Sequence, residues 1–560
     1  GYDLVLVGKA TDNSGFGGAA FASVILDEED EESNKGAVQV PDPFLKNVLI
    51  RSTYAVFEEA RKNKIKLGFK DLGAGGVMCA SSELCDSGGY GADVDLSKVH
   101  TSMNIPSFII ACSETQERFM WISPKEFTPT ILKIYNKDFE LPNVSECAKA
   151  SVVGTVRNDR KFIMRHDGKV VCDAPIEEVT QGILYDREHK EKKQNLSEPK
   201  LEDLPNFNSV TLDVLKHPNI CNKSKIHEHY DTQVLGNTII GPGQADAGVL
   251  APIPGHKAGM ALSVDANPLY SRINPYMGAC NAVAEAMRNV AAVGAVPSGM
   301  TDCLNFGNPE LPESFSEFTE SVKGLVDAAN NIYLKGTEKT TKSPVAFVSG
   351  NVSFYNQSAT GNSVDPSPVI ACLGVMEDYS KAITMKIKKP NTEIYLLGPR
   401  NNELGGSVYY DLFGEIGENI PKIDFEQERN RIYAVTDSID KGLLLSCHDI
   451  SDGGMITAVA EMIMGGKADG KIGIELELND DTRTDTILFT ESPGFVMEIA
   501  DDKVKEVEKI CKERNVDLIR IGCTTEKESL IINHNDNDVV KLSIEEMKHA
   551  WTNGLKEALE

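Results

Sequence analysis

Apolar runs of strand length alternate along this chain with longer amphipathic stretches. Tyr2–Val7 (YDLVLV) and Gly259–Ala266 (GMALSVDA) read as strands. The stretch Ala279–Gly294 sets Val283, Met287, Val290 and Ala291 at helical spacing and ends on a glycine, which predicts a buried helix. Asp42-Pro43-Phe44 and Asp424-Phe425 each open an amphipathic helix, and 541–559 (KLSIEEMKHAWTNGLKEAL) reads as a closing one. The most apolar run, Ile105–Cys112 (IPSFIIAC), is of strand length, far short of the roughly 18 apolar residues that would suggest a membrane span.

The pattern repeats. VLVGKATDNSGFGGAAF, with Gly15, Gly17 and Gly18, returns as YLLGPRNNELGGSVYY, with Gly405 and Gly406. GFKDLGAGGVMCASSEL returns as SCHDISDGGMITAVAEM, and ACSETQERFMWI as LFTESPGFVMEI. Gly17 and Gly405 stand 388 residues apart, Asp42 and Asp424 382, Asp71 and Asp449 378, and Glu114 and Glu491 377. Offsets that drift slowly in one direction mark a duplicated domain with small length differences. The copies flank a segment of other character, so the order is B–A–B: B1 over 1–185, a charged connector of little buried surface over 186–225, A2 over 226–385, B2 over 390–540 and a closing helix over 541–560. Proline and the run EHKEKK (Glu188–Lys193) mark the connector.

Composition narrows the chemistry. With 57 Lys and Arg against 84 Asp and Glu, the net charge of −27 repels nucleic acid and anionic membranes, and neither is expected as a partner. A phosphorylated small molecule could bind only through local donors or metal ions. The twelve cysteines form no CxxC pair, which points to a reduced, cytoplasmic protein. No Ser-His-Asp, HExxH or P-loop signature is present, so hydrolase and P-loop readings fall away.

Three polar clusters remain. Asp71 with Leu72-Gly73-Ala74-Gly75-Gly76 sits between a strand and a helix, where a carboxylate can hold Mg²⁺ against phosphate, or simply cap the helix. Glu114-Thr115-Gln116 ends a buried strand, read over Ile105–Cys112, with acid, hydroxyl and amide, suited to a ribose or amide ligand or to a solvated strand end. TDCLNFGNPE (Thr301–Glu310) and VSGNVSFYN (Val348–Asn356) close apolar segments with oxygen-rich turns that could serve metal and phosphate. Asp265 and Asn267 form a smaller pair of the same kind. His448 beside Asp449 reads as a structural histidine.

The strings VQVPDPF, KDLGAGG, SETQER, TDCLNFGNPE and VSGNVSFYN resemble the large subunit of phosphoribosylformylglycinamidine synthase, along essentially the whole chain. That resemblance implies an α+β fold in the duplicated architecture of the aminoimidazole ribonucleotide synthase-like superfamily, A1–B1–A2–B2, here with A1 absent upstream of Gly1. It also implies a reaction: ATP phosphorylates the amide oxygen of formylglycinamide ribonucleotide, ammonia attacks the imino-phosphate carbon, and phosphate leaves. An amide oxygen leaves poorly until phosphorylated, and phosphoryl transfer needs mainly positioning and charge neutralisation.

Position by position, the resemblance makes Gln39, Glu114, Thr115, Gln116 and Ser353 substrate contacts. Asp302 and Gly350 become ATP contacts, and Asp71 and Asn351 Mg²⁺ ligands. Pro41 stands where the family usually has glycine, and Thr115 where it usually has serine. The family's catalytic histidines lie in A1, in a Glu-x-His-Asn-His-Pro context that no string here reproduces. Ser263-Val264-Asp265-Ala266-Asn267-Pro268 looks like its degenerate counterpart, so no catalytic residue is assigned in this chain, which is expected to be inactive alone. Without A1, an apolar face of A2 should be open. The resemblance further implies ammonia from a separate glutaminase subunit, and a small bridging subunit. Loops of B1 and A2 are expected to share one magnesium–triphosphate pocket. The alternative is a non-catalytic nucleotide-binding or scaffold protein of the same superfamily.

Overall fold

The computed structural model describes residues 1–17, 39–182, 185–192, 194–202, 204–233, 235–357 and 362–559. Gly18 of the glycine-rich turn, Val38 of VQVPDPF and Lys193 of the connector run lie outside them. Two compact units result: Gly1–Arg187 with Phe354–Asn362, and Glu188–Ser353 with Ser363–Glu560.

The first unit is built on β1 (Tyr2–Gly8), β2 (Gly68–Asp71), β3 (Gly91–Asp95), β4 (Arg118–Pro124), β5 (Lys149–Arg157), β6 (Lys161–His166) and β7 (Lys169–Pro175), in the order β2-β4-β1-β5-β3-β6-β7. Strand β1 is central and buried on both faces, which explains its unbroken apolar run. Leu4 and Leu6 join a core with Val77 and Ala80 of the helix Gly76–Asp86. Val5 and Val7 join another with Leu45, Leu49 and Val56 of the helix Pro43–Lys62. The latter helix starts where its sequence says it should: the Asp42 carboxylate accepts from Leu45 N–H at 2.9 Å, with Pro43 in the first turn.

The second unit holds two sheets. One comprises β8 (Thr238–Ile240), β9 (Gly248–Leu250), β10 (Gly259–Asp265), β11 (Val296–Asn305), β12 (Phe347–Ser353) and β13 (Ser367–Met376), in the order β12-β11-β13-β10-β9-β8. Its inner face packs on the buried helix Pro275–Ala292, where Val283, Met287, Val290 and Ala291 all face the core as their spacing predicts. On the other face Val264 of β10 is 66% exposed, and Val348 of the edge strand β12 is 78% exposed.

The last sheet comprises β14 (Glu393–Leu397), β15 (Leu444–Ile450), β16 (Gly473–Leu478), β17 (Gly494–Ile499), β18 (Ile519–Thr525), β19 (Ser529–His534) and β20 (Asn537–Ser543), in the order β15-β17-β14-β18-β16-β19-β20. Strand for strand this is the first unit's order, with one parallel pair at the same place in each, β3 with β6 and β16 with β19. Even the register shift repeats, between Leu4 and Val5 against β5 and between Ile394 and Tyr395 against β18. The duplication read from sequence is thus a duplication of topology.

Two expectations are corrected. The run Ile105–Cys112 is not a strand: Ser107–Cys112 is a short helix, as is Thr484–Phe489 in the second copy. An apolar run this short carries no period that tells strand from helix. Nor is 186–225 a connector of little buried surface throughout. Phe207, Val214, Leu215 and Ile220 enter the core under the last sheet, and the helix Asn208–Lys216 packs on the closing helix Ile544–Leu559. The charged run ends before these residues, whose spacing is already helical. No helix among the described residues is long and apolar enough to cross a membrane.

Candidate functional site

In the first unit three turns meet. Glu114, Thr115 and Gln116 lie between the helix Ser107–Cys112 and β4. Gln39 Nε2 donates to the Glu114 carboxylate at 3.2 Å, although the two are 75 residues apart. Gly15 closes over both: a β-carbon there would stand 3.1 Å from Glu114 O and 3.2 Å from Gln39 Cγ. The glycine-rich turn after β1 is therefore packed against two of the substrate residues implied by sequence.

Asp71 ends β2 and is exposed, with Leu72 N–H donating to Arg118 O at 3.2 Å. It is not the helix cap: Gly75, in the left-handed region at φ 71°, takes that position with no side-chain bond. Gly76, at φ 54°, lies so close to Ser113 O that a β-carbon would collide with it. The Asp71–Gly76 turn is thus in contact with the Ser113–Gln116 turn, which requires glycine.

Thr115 departs from its expected role. It is fully buried, and its hydroxyl meets Ser113 Oγ at 2.9 Å and the Asp12 carboxylate at 2.9 Å, while also accepting from Asp12 N–H at 3.1 Å. Burial works against it, but bonds from Ser14 and Thr115 hold the Asp12 carboxyl below its ordinary pKa. The hydroxyl ties the glycine-rich turn to the Glu114 turn and is spent on that task.

In the second unit Asp302, Gly350, Asn351 and Ser353 come together on paired parallel strands. Asp302 is opposite Gly350, Cys303 opposite Asn351, and Asn305 opposite Ser353. Burial raises the Asp302 carboxyl above its ordinary pKa, against a bond from the Asn351 N–H. Asn351 is exposed. Carboxylate and amide oxygens such as those of Asp71 and Asn351 are hard donors of the kind Mg²⁺ takes.

A further cluster escaped sequence reasoning. Asp246, His448 and Asp449 present ligand atoms within 4.8 Å of one another, a set that could hold a cation. Asp246 Oδ2, Asp265 Oδ2 and Asn289 Oδ1 are buried there with no hydrogen-bond partner among the described residues. Burial drives the Asp265 carboxyl up to about 7, with Arg288 opposing. Arg288 itself is buried between Glu428, at 2.8 Å, and Asp449, at 3.5 Å. His448 bonds Asp246 and, at 3.0 Å, Glu461, as a structural histidine should. Asn267 is likewise occupied, capping the helix Pro268–Ile273 and donating to Asp452 at 3.3 Å. Asp246, flanked by glycines in GPGQADAGVL, was the available signal.

The second copy's counterpart of Glu114 is closed off. Glu491 accepts from Gly453 N–H at 2.7 Å, Val408 N–H at 3.0 Å and the Tyr270 hydroxyl. Burial, then Asp452, raise its carboxyl to about 8.

Comparison with known proteins agrees with this layout. The family described as AIR synthase related protein, C-terminal domain, matches residues 1–167 and again 389–535, and its N-terminal domain family matches 244–376. A phosphoribosylformylglycinamidine synthase subunit PurL from Methanothrix thermoacetophila is 50% identical over 560 residues, covering 100% of this chain and 72% of the relative. Among solved structures, T. maritima PurL complexed with FGAR superposes with a TM-score of 0.62 at 21% identity, over 94% of this chain and 72% of that one. The same protein complexed with ATP gives 0.59 at 21% identity, over 94% and 70%. At that identity the superpositions establish the fold.

Proposed function

Since the chain belongs to the phosphoribosylformylglycinamidine synthase subunit PurL family, we propose that its two oxygen-rich clusters serve one ligase reaction. The enzyme is an ATP-dependent carbon–nitrogen ligase of purine biosynthesis that converts formylglycinamide ribonucleotide to formylglycinamidine ribonucleotide. In this reading Gln39, Glu114 and Gln116 hold the substrate by their side chains and Ser353 by its hydroxyl, while Thr115 holds the turn that presents Glu114 and Gln116.

Asp302 and Gly350 hold the nucleotide, the glycine leaving room beside the strand for the Asp302 carboxylate. Asp71 and Asn351 would hold Mg²⁺, which when bound neutralises triphosphate charge during phosphoryl transfer. Local cations of this kind also reconcile a net charge of −27 with two phosphorylated ligands. Domains over 1–185, 226–385 and 390–540, ammonia delivered by a glutaminase subunit, a small bridging subunit and a cytoplasmic location complete the proposal.

The observation that carries it is the Gln39–Glu114 bond under Gly15, because it brings together polar residues from separate turns that the family strings name. The test follows ADP release by the full-length enzyme with ATP, Mg²⁺ and ammonia. Release should depend on formylglycinamide ribonucleotide and fall at least about a hundredfold in Asp71→Asn and Asp302→Asn variants. ADP release indifferent to that substrate overturns the reading.

A further inference from the structure

Arg118 is a cation buried under the Glu114 turn. Only 1% exposed, it donates from Nε to Thr115 O at 2.8 Å, from Nη2 to Ser113 O at 2.5 Å and from Nη1 to Thr11 Oγ1 at 2.9 Å. Between those two carbonyls, Glu114 O accepts from Gln116 Nε2 at 3.1 Å. Three successive carbonyls are thus drawn inward by side-chain donors. No carboxylate lies within ion-pair distance of Arg118 among the described residues. Burial draws the guanidinium pKa down to about 10, against the field of the Asp12 carboxylate, so the buried charge is held at a cost.

The second copy supplies an independent measure of what matters. Its equivalent turn, Thr490–Ser492, is also held by a buried guanidinium: Arg400 Nη1 donates to Thr490 O at 3.1 Å, and Nη2 to Ser492 O. Ser113 and Thr490, like Thr115 and Ser492, are 377 residues apart, so the same two carbonyls are bound in both copies. Yet the arginines are not equivalent in sequence. The residue 377 positions after Arg118 is Phe495, in β17, whereas Arg400 follows β14. Two different chain positions place one chemical group on one pair of carbonyls. A guanidinium suits that task because its planar fork spans both at fixed geometry, which a lysine ammonium cannot.

We propose that Arg118 is a positioning residue for substrate recognition, locking the Ser113–Gln116 turn so that the Glu114 carboxylate and the Gln116 amide hold one orientation toward the substrate. It acts through the main chain and touches no reacting atom. The inference rests on the proposed function, and Arg400 provides the control: the same lesion, made at the turn whose glutamate is closed off.

The experiment compares Arg118→Gln, Arg118→Lys and Arg400→Gln in the full-length enzyme, measuring kcat and KM for both substrates alongside the unfolding midpoint. Arg118→Gln should raise KM for formylglycinamide ribonucleotide by about ten- to a hundredfold while KM for ATP changes less than about twofold. Arg118→Lys should raise it by a smaller factor. Arg400→Gln should lower the unfolding midpoint with both KM values unmoved. Equal rises in both KM values, or a folded Arg118→Gln enzyme with unchanged KM, overturn the inference. If Arg118→Gln does not fold, Arg118→Lys decides by the same KM split. A wild-type enzyme that ignores formylglycinamide ribonucleotide would instead overturn the proposed function, which keeps the two failures apart.

Discussion

The Asp302 carboxylate lies against the α-carbon of Gly350 on the neighbouring strand, filling the space a β-carbon there would need. The glycine is required by its neighbour rather than by its own backbone, since Gly350 is not among the residues of positive φ.

Gly350→Ala should therefore displace Asp302 and cost about 1–3 kcal/mol. ATP KM should rise at least about tenfold, as for a misplaced positioning group. Pairing the change with Asp302→Ala tests the cause: relief of the clash should make the two stability losses less than additive. Strict additivity, measured by denaturant unfolding, would count against it.

Thr115 separates two uses of a hydroxyl. Because its Oγ1 is spent on Asp12 and Ser113, Thr115→Ser should leave substrate KM within about twofold, since no ligand contact is lost. Thr115→Val removes a partner of the Asp12 carboxylate and should cost about 1–3 kcal/mol. A large KM change in the serine variant, without loss of stability, would show that the side chain contacts substrate after all.

Glu491 makes the second unit sensitive to alkali. Its folded carboxyl is raised to about 8, well above the ordinary 4.5, so folding retains a proton that the unfolded chain has released. Its contribution is full below about pH 4.5 and is lost as pH rises through about 8, at up to about 1.4 kcal/mol per pH unit. Glu491→Gln, which keeps the protonated shape, should flatten that fall. Denaturation midpoints from pH 5 to 9 read the slope directly, and an unchanged slope rejects the assignment.

Arg288 neutralises carboxylates that water does not reach. Arg288→Met removes the guanidinium partner of Asp449 and one of the two that Glu428 has, the other being Arg431, and should cost about 3–5 kcal/mol. Hydrogen exchange should accelerate in the helix Pro275–Ala292 while β1, β4 and β5 keep their protection. If the Asp246–His448–Asp449 set takes a divalent cation, added Mg²⁺ should recover part of the loss.

Much of this was readable in one dimension. Helix starts at Asp42 and Asp424, the helix ending near Gly294 and the repeat itself depend on local capping and periodicity, which neighbouring residues express directly. The family strings carried the candidate site residues for the same reason, since each string is short, although Asp302, Gly350, Asn351 and Ser353 lie on paired strands and not in the turns their composition suggests. Sequence alone does not show that Ser107–Cys112 is helical, because a six-residue segment is too short to display a period.

What the chain order could not disclose was contact between residues far apart in it. Composition and repeats determined a duplicated, acidic protein, and the family resemblance implied its α+β fold. Only folding decided that the Thr115 hydroxyl faces Asp12, that Gln39 reaches Glu114, and that Arg118 and Arg400 reach matching carbonyls from unmatched positions. Periodicity fixes which face of an element is buried; the partner that each buried polar atom finds there depends on how separate elements pack.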